Sequence, residues 1–468
     1  MSHVSEQRID RLINHLIPDI AFQGRYGPPQ PLDKRMAYYH TPGVSISVIN
    51  EFEIEWARGF GLCETGKSIA VTPSTLFQAG SISKPIFALA VMRLVEDNHL
   101  DLDGDVNNYL TSWQVPPNGT WQPRITLRQL LSHTAGLTVH GFPGYQTSEL
   151  IPTVPQILNG ERPANTPKVE VNILPGVQFR YSGGGTTIAQ QLLVDALGKS
   201  FPEIMRTLVL DPLRMADSTY EQFLPKDWTT KAATAHPWKE IPLTGKWHVY
   251  PEMAAAGLWT TATDLAKVGV ELLQALRGKP RNLLAPETIE AMIHPQLPDQ
   301  QEGGEFVGLG FFCNGRGDSF SFGHAGWNEG FVALMRIYRN LGKGAVVMVN
   351  SNEGHPLLEE IMRAIAWEYE WPGVFSQEKP RIDLARTDTY AGVYATQVGM
   401  QFYITIQNGT VMLRLGQQSP LPLSPISELD FVTEAVNTSV RFEKGQAGDM
   451  TAVIVSQEGK VTRAERQQ

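Results

Sequence analysis

Apolar residues recur at helical spacing near the start of the chain. Ile9, Leu12, Ile13, Leu16 and Ile17 share one face of a helix predicted over 4–17, with Pro18 as its stop. The period then changes to two. Val44, Ile46 and Val48 alternate with other residues, "NEFE" supplies a turn, and Ile54 and Trp56 return, which predicts a β-hairpin. A second hairpin is predicted far downstream, from 331–338 and 345–349 joined by "RNLGKG". A helix follows it, with Leu357, Leu358, Ile361, Met362 and Ile365 on one face. Strands at both ends with helices between predict an α/β (α+β) domain over 1–372. Its antiparallel sheet is built from the two ends of the domain and flanked by helices, with a helical insertion over about 76–255.

Two helix starts in the middle of the chain are marked by side chains that can cap them. Thr126 with Gln129 reads as a capping box, and Thr261 with Asp264 offers the same pattern. Residues 373–388 are polar and carry proline, as a linker would. Beyond them, 389–468 alternates short β-like runs with turns, which predicts a C-terminal all-β domain, a small lipocalin-like barrel.

Composition narrows the class. At 468 residues with 42% hydrophobic and 19% charged side chains, the chain can bury a large core. A net charge of −9, with no local Lys/Arg cluster, argues against nucleic acid or an anionic membrane surface as partners. No apolar run approaches the roughly 20 residues that a membrane helix needs. The first residues are polar, so a cytoplasmic location is expected. Cys63 and Cys313 have no metal-site or redox-pair spacing and read as buried thiols.

The residues that carry chemistry begin at "FQAGSISKPIFALAVM". Ser81 and Lys84 form S-x-x-K, one helical turn apart on one face. A serine hydroxyl is a weak nucleophile until a base takes its proton, and an adjacent lysine amine is one such base. The tetrapeptide is short, and Ser376–Lys379 matches it as well. Context separates the two: Ser81 and Lys84 open a broadly apolar helix, where a buried lysine needs a reason, whereas Ser376 sits in the polar linker. Tyr181, in "FRYSGGGTTIAQQLL", is a candidate proton relay beside a lysine. His324 and Gly326, in "FGHAGWNEGF", precede a strand whose backbone could line a site.

Taken together, Ser81-x-x-Lys84, Tyr181-Ser182 and His324-x-Gly326 resemble the three motifs of the penicillin-binding-protein and class C β-lactamase-like serine hydrolases, in particular their esterase and D-aminopeptidase branch. The flanks "LRQLLSHTAGL", "HGFPGY" and "AAGLWTTATDLAKV" agree, and the resemblance spans about 30–370. It implies an acyl-enzyme on Ser81, with Lys84 and Tyr181 sharing the proton. It further implies an oxyanion hole from the backbone N–H groups of Ser81 and Trp327, with Gly183, His324 and Gly326 lining the substrate site. No metal or organic cofactor is implied. The expected partner is a small ester or peptide substrate, and homo-oligomerisation is left open.

Two departures bear on the substrate. The family usually places Asn two residues after the tyrosine, where this chain has Gly183, and Lys where it has His324. Both point away from β-lactams and towards an ester or amide of a small acyl group. The other readings are β-lactamase or D,D-peptidase activity, and a catalytically silent binding protein of the same fold. A phosphate loop at the glycine triplet is excluded, since no lysine follows it and no Walker pattern occurs.

Overall fold

In a computed structural model, Val44–Ile49 pair antiparallel with Gly344–Val349, which joins the two predicted hairpins into one sheet. The structure describes the whole chain except residues 1–2, 18–19, 23–29, 280–281, 373–376, 380–386, 397–398, 408, 417–419, 434–437, 446–447, 458–459 and 468. Most of the expected linker, Ser376 included, lies outside the described residues.

The chain forms two compact units. The first consists of Met1–Ile9, Asp33–Leu358 and Glu370–Gly373. Its sheet has seven antiparallel strands in the order Glu53–Gly61, Gly43–Asn50, Lys343–Val349, Phe331–Tyr338, Ser321–Asn328, Phe312–Asn314, Phe306–Val307. The central strands Gly43–Asn50, Phe331–Tyr338 and Lys343–Val349 are buried on both faces or nearly so, and clear alternation of burial is found nearer the site. In Ser321–Asn328, for example, His324, Gly326 and Asn328 are buried while Ala325 and Trp327 are exposed. The helices fall mainly between the two halves of the sheet in sequence, as predicted. Helix Ala262–Leu276 packs on strands Gly43–Asn50 and Lys343–Val349.

At the centre lies helix Ser83–Glu96, buried on nearly every side: Ile86, Phe87, Ala88, Leu89, Ala90 and Val91 are all fully inaccessible. An all-round apolar helix has no solvated face and is stable only inside a core. At ~1.5–3 kcal/mol for each fully buried large aliphatic or aromatic side chain, this helix is among the most strongly held elements of the unit.

The expected caps are realised unequally. Thr126 and Gln129 form the complete reciprocal box. Thr261 Oγ1 accepts the Asp264 N–H at 3.0 Å, but the Asp264 carboxylate does not reach back. It accepts instead from Asp217 N–H, Ser218 Oγ–H and Lys267 Nζ. A fully buried carboxylate takes the partners that surround it, and here they belong to tertiary neighbours. The first helix, His3–Ile13, also ends earlier than the periodicity predicts, where Asn14 Nδ2 donates to the Asp10 carbonyl at 2.8 Å.

The second unit consists of Asp10–Leu32, Glu359–Tyr369 and Val374–Gln468. It contains a closed barrel of eight strands between Gly392 and Arg466, sealed where Tyr394 and Ala395 pair with Arg466 and Glu465. Eight strands leave an interior about wide enough for side chains to fill. Tyr390, Tyr394, Phe402, Phe431 and Phe442 occupy it, with Tyr390 and Phe442 ring centroids 4.9 Å apart.

Candidate active site

Ser81 sits in a short 3₁₀ turn, Gly80–Ile82, that runs directly into the buried helix. Opposite it lies strand Ser321–Asn328. Only Ser321–Gly323 of this strand pair with Phe312–Asn314, so the neighbouring strand stops short of its second half. The serine turn takes that place. A Cβ on Gly326 would stand 1.9 Å from the Ala79 carbonyl oxygen and 3.1 Å from the Ser81 nitrogen. A Cβ on Gly80, whose φ is +52°, would stand 2.4 Å from the Trp327 nitrogen. Two glycines therefore let two backbones meet with the amide nitrogens of Ser81 and Trp327 at one spot. The variant Gly326→Ala is expected to part them by enough to lower kcat/KM about 100-fold, with circular dichroism unchanged, since a displacement near 1 Å can cost that much. Retained activity would show that the close approach is dispensable.

Lys84 enters from one turn along, as the S-x-x-K spacing predicts. Its Nζ donates to Ser81 Oγ at 2.9 Å and to the Ala255 carbonyl at 2.8 Å, and the residue is 5% exposed. The segment that presents Ala255 is itself tied to the serine turn. Asn328 Nδ2 donates to Ala256 O and to Gln78 Oε1, and Leu258 N–H donates to Ser83 Oγ. Serine, lysine and their carbonyl partner are thus held by a hydrogen-bonded frame with few soft torsions.

Tyr181 comes from the loop ahead of helix Gly183–Leu197, and its ring centroid is 5.0 Å from Lys84 Nζ. The ring is packed among aromatics: His133 at 4.3 Å, His140 at 4.8 Å, and Phe312 and His324 both at 6.2 Å. Among the described residues its hydroxyl makes no hydrogen bond. Ser182 caps the following helix by accepting the Gly185 N–H at 3.0 Å.

The glycine triplet now has a packing reason. A Cβ on Gly183 would lie 2.8 Å from Phe142 Cε2 and 3.1 Å from the His140 carbonyl oxygen. One on Gly184 would meet both methyl groups of Val169 within 2.9 Å. Segment 138–142 lies against the start of this helix, with Gly183 N–H and Gly184 N–H donating to His140 O and Val139 O. The space that an asparagine side chain would need is filled by the protein itself.

His324 lies under this cluster and is 6% exposed. Burial, followed by the positive charge of Lys84, pushes its pKa down to about 3, so the ring is neutral near pH 7. Its Nδ1 donates to the Ala325 carbonyl, which leaves Nε2 as a buried acceptor without a partner among the described residues. His133 is held neutral in the same way, by burial first and then by the positive charge of Lys84. Its Nδ1 accepts the Ser182 N–H at 3.2 Å.

All of the sequence-predicted residues thus fall in one place: Ser81, Lys84, Tyr181, Gly183, His324, Gly326 and Trp327. Sequence reasoning assigned no role to Ala255, His133 and His140, although they lie within the quoted flanks. Phe312 and Phe179, whose ring centroids are 6.1 Å apart at the rim, carry no local signal at all. Among the described residues there is no group of His, Cys, Asp and Glu that could hold a metal ion, and no helix long and apolar enough to cross a membrane. Both cysteines are buried and unpaired.

Comparison with known proteins finds relatives of the same fold. The Protein flp of Staphylococcus aureus (strain N315) is 23% identical over 367 residues, covering 75% of this chain and 64% of that protein. The chain therefore spans a little under two thirds of the length of that curated relative. The Unguisins hydrolase ungD of Aspergillus violaceofuscus is 27% identical over 245 residues, covering 48% of this chain and 41% of that protein. Among solved structures, the octameric penicillin-binding protein homologue from Pyrococcus abyssi superposes with a TM-score of 0.63 at 23% identity. That match covers 93% of this chain and 97% of the other. The Beta-lactamase family model matches residues 30–366, the stretch that supplies the serine turn, the lysine, the tyrosine loop and the third strand, and the chain belongs to that family.

Proposed function

We propose that the protein is a serine hydrolase that cleaves a small ester or amide through an acyl-enzyme on Ser81. The observation that carries this reading is Lys84 Nζ, bonded at once to Ser81 Oγ and to a fixed carbonyl. In the proposed cycle Ser81 Oγ attacks the substrate carbonyl carbon and its proton passes to the Lys84–Tyr181 pair, one member of which enters the step deprotonated. In this reading the oxygen of the tetrahedral intermediate is stabilised between the backbone amides of Ser81 and Trp327, as fixed dipoles at a developing charge would do. The proton passes to the leaving atom, the C–O or C–N bond breaks, and water then attacks the acyl-enzyme by the same route in reverse.

Two features favour an uncharged ester or amide over a β-lactam. His324 is neutral near pH 7 and offers a lone pair, so it cannot attract a substrate carboxylate as a lysine would. At Gly183 no polar side chain is present to hold an acylamide, and none fits without moving Phe142. A lost polar clamp is worth ~1–3 kcal/mol, roughly 10- to 200-fold in kcat/KM. A screen with p-nitrophenyl esters, D- and L-aminoacyl anilides and nitrocefin tests the reading. An ester or anilide is expected to exceed nitrocefin by about 100-fold in kcat/KM. Nitrocefin turnover matching or exceeding that of every ester and anilide would overturn it in favour of β-lactamase activity.

A further inference from the structure

The side chain of Trp327 has no part in the chemistry proposed above, which uses only its amide. It is nevertheless 52% exposed beside the serine turn, and it is pinned in place. Its Nε1–H donates to Asn352 Oδ1 at 3.0 Å. That same oxygen accepts the Gly330 N–H at 2.8 Å, and Asn352 Nδ2 donates to Glu329 Oε1 at 3.3 Å. One face of the indole stacks on His355, with ring centroids 5.5 Å apart and planes 27° from parallel. A half-exposed tryptophan normally keeps its rotamer freedom, and ordering a side chain has an entropic cost that some interaction must offset. Here the polar end is satisfied and the ring is backed by a second ring, which leaves a rigid apolar face turned to water.

Position gives that face a use. Gly326 and Gly80 place the Trp327 backbone nitrogen against the serine turn, so the indole is rooted at the oxyanion position itself. Ala325, the other exposed residue of this stretch, is small and lies on the same face of the strand as Trp327. Rigid aromatic side chains supply large contact area at little conformational cost and favour flat partners in offset stacking.

We infer that Trp327, backed by His355 and Asn352, is a specificity-determining shelf that selects substrates carrying a flat aromatic substituent next to the scissile carbonyl. This rests on the Ser81 hydrolase reading. Stacking between aromatic rings adds to what the buried area supplies. A preference of roughly tenfold or more for an aryl over an alkyl substituent follows once burial is included.

The test uses two matched ester pairs, phenylacetate against hexanoate on one leaving group and benzyl against hexyl alcohol as the leaving group on one acyl chain. Phenylboronic and butylboronic acids serve as reversible serine ligands. In the wild-type protein at least one aryl member is expected to exceed its alkyl partner about tenfold in kcat/KM, and phenylboronic acid to bind more tightly. In Trp327→Ala that ratio is expected to fall towards one, and in Trp327→Phe to be largely retained. A wild-type ratio near one, or a ratio unchanged in Trp327→Ala, would overturn the shelf. If the wild type neither turns over any ester nor binds either boronic acid, the hydrolase reading itself fails, and the shelf fails with it.

Discussion

Replacing Lys84 with methionine is expected to lower kcat/KM by about 10³- to 10⁴-fold while the protein remains folded. Methionine is close to lysine in length and suits an apolar slot, so the buried helix keeps its packing. Two hydrogen bonds disappear. The Ala255 carbonyl loses its donor, at ~1–3 kcal/mol of stability if the group stays buried and unpaired. Ser81 Oγ loses the group that orients it and receives its proton, which is the larger loss for catalysis. Paired measurements of kcat/KM on the best ester and of thermal midpoint separate the two effects. A variant that keeps more than a tenth of wild-type activity would place the base elsewhere.

The second large effect concerns Glu252, a residue outside the proposed chemistry. It is fully buried at the start of the short helix Met253–Ala256 whose carbonyls hold Lys84 and Asn328. Neither carboxylate oxygen has a hydrogen-bond partner from another residue among the described residues, and only the residue's own backbone N–H bears on it. Burial raises its pKa to about 8 from the ordinary 4.5. The sign follows from linkage. Below pH 4.5 both folded and unfolded chains carry the proton. Between 4.5 and 8 the unfolded chain releases it while the folded chain keeps it, so stability falls by ~1.4 kcal/mol per pH unit. Above pH 8 the loss levels off.

The variant Glu252→Gln removes this slope. Its buried amide carries its own cost, but that cost does not vary with pH. The thermal midpoint of the variant relative to wild type is therefore expected to rise by ~5 °C or more between pH 4.5 and 8.5. A difference that stays constant with pH would mean that Glu252 is ionised or paired in the folded protein. His324 acts in the opposite sense. Its lowered pKa contributes stability that is present above pH 6.5 and is lost as pH falls towards about 3. The two groups together place the most stable range between acid and alkaline limits.

Much of this was legible in the sequence because the signals are local. Alternation at Val44, Ile46 and Val48 marks a strand, although Ser45 and Ser47 between them are buried as well, and the helical spacing of Ile86, Leu89 and Met92 reflects burial on all sides. Thr126 and Gln129 lie three residues apart and satisfy each other whatever surrounds them. Asp264 does not, because its partners Asp217 and Ser218 arrive from another segment. The same division holds at the site. Ser81 and Lys84 are neighbours on one turn, so their spacing suffices. Ala255, Phe312 and the Trp327–His355 stack come together only through the tertiary fold, and no periodicity encodes them. Gly183 is the instructive case. The sequence marks an absent asparagine, whereas the fold reveals a neighbour, Phe142, that fills its space.

The central claim is a covalent intermediate on Ser81, and the most direct measurement is mass spectrometry of the protein after reaction with a fluorophosphonate probe. One adduct is expected, on the peptide that contains Ser81, absent in Ser81→Ala and unchanged in Ser376→Ala. An adduct on any other residue, or labelling of Ser81→Ala at the wild-type rate, would contradict it.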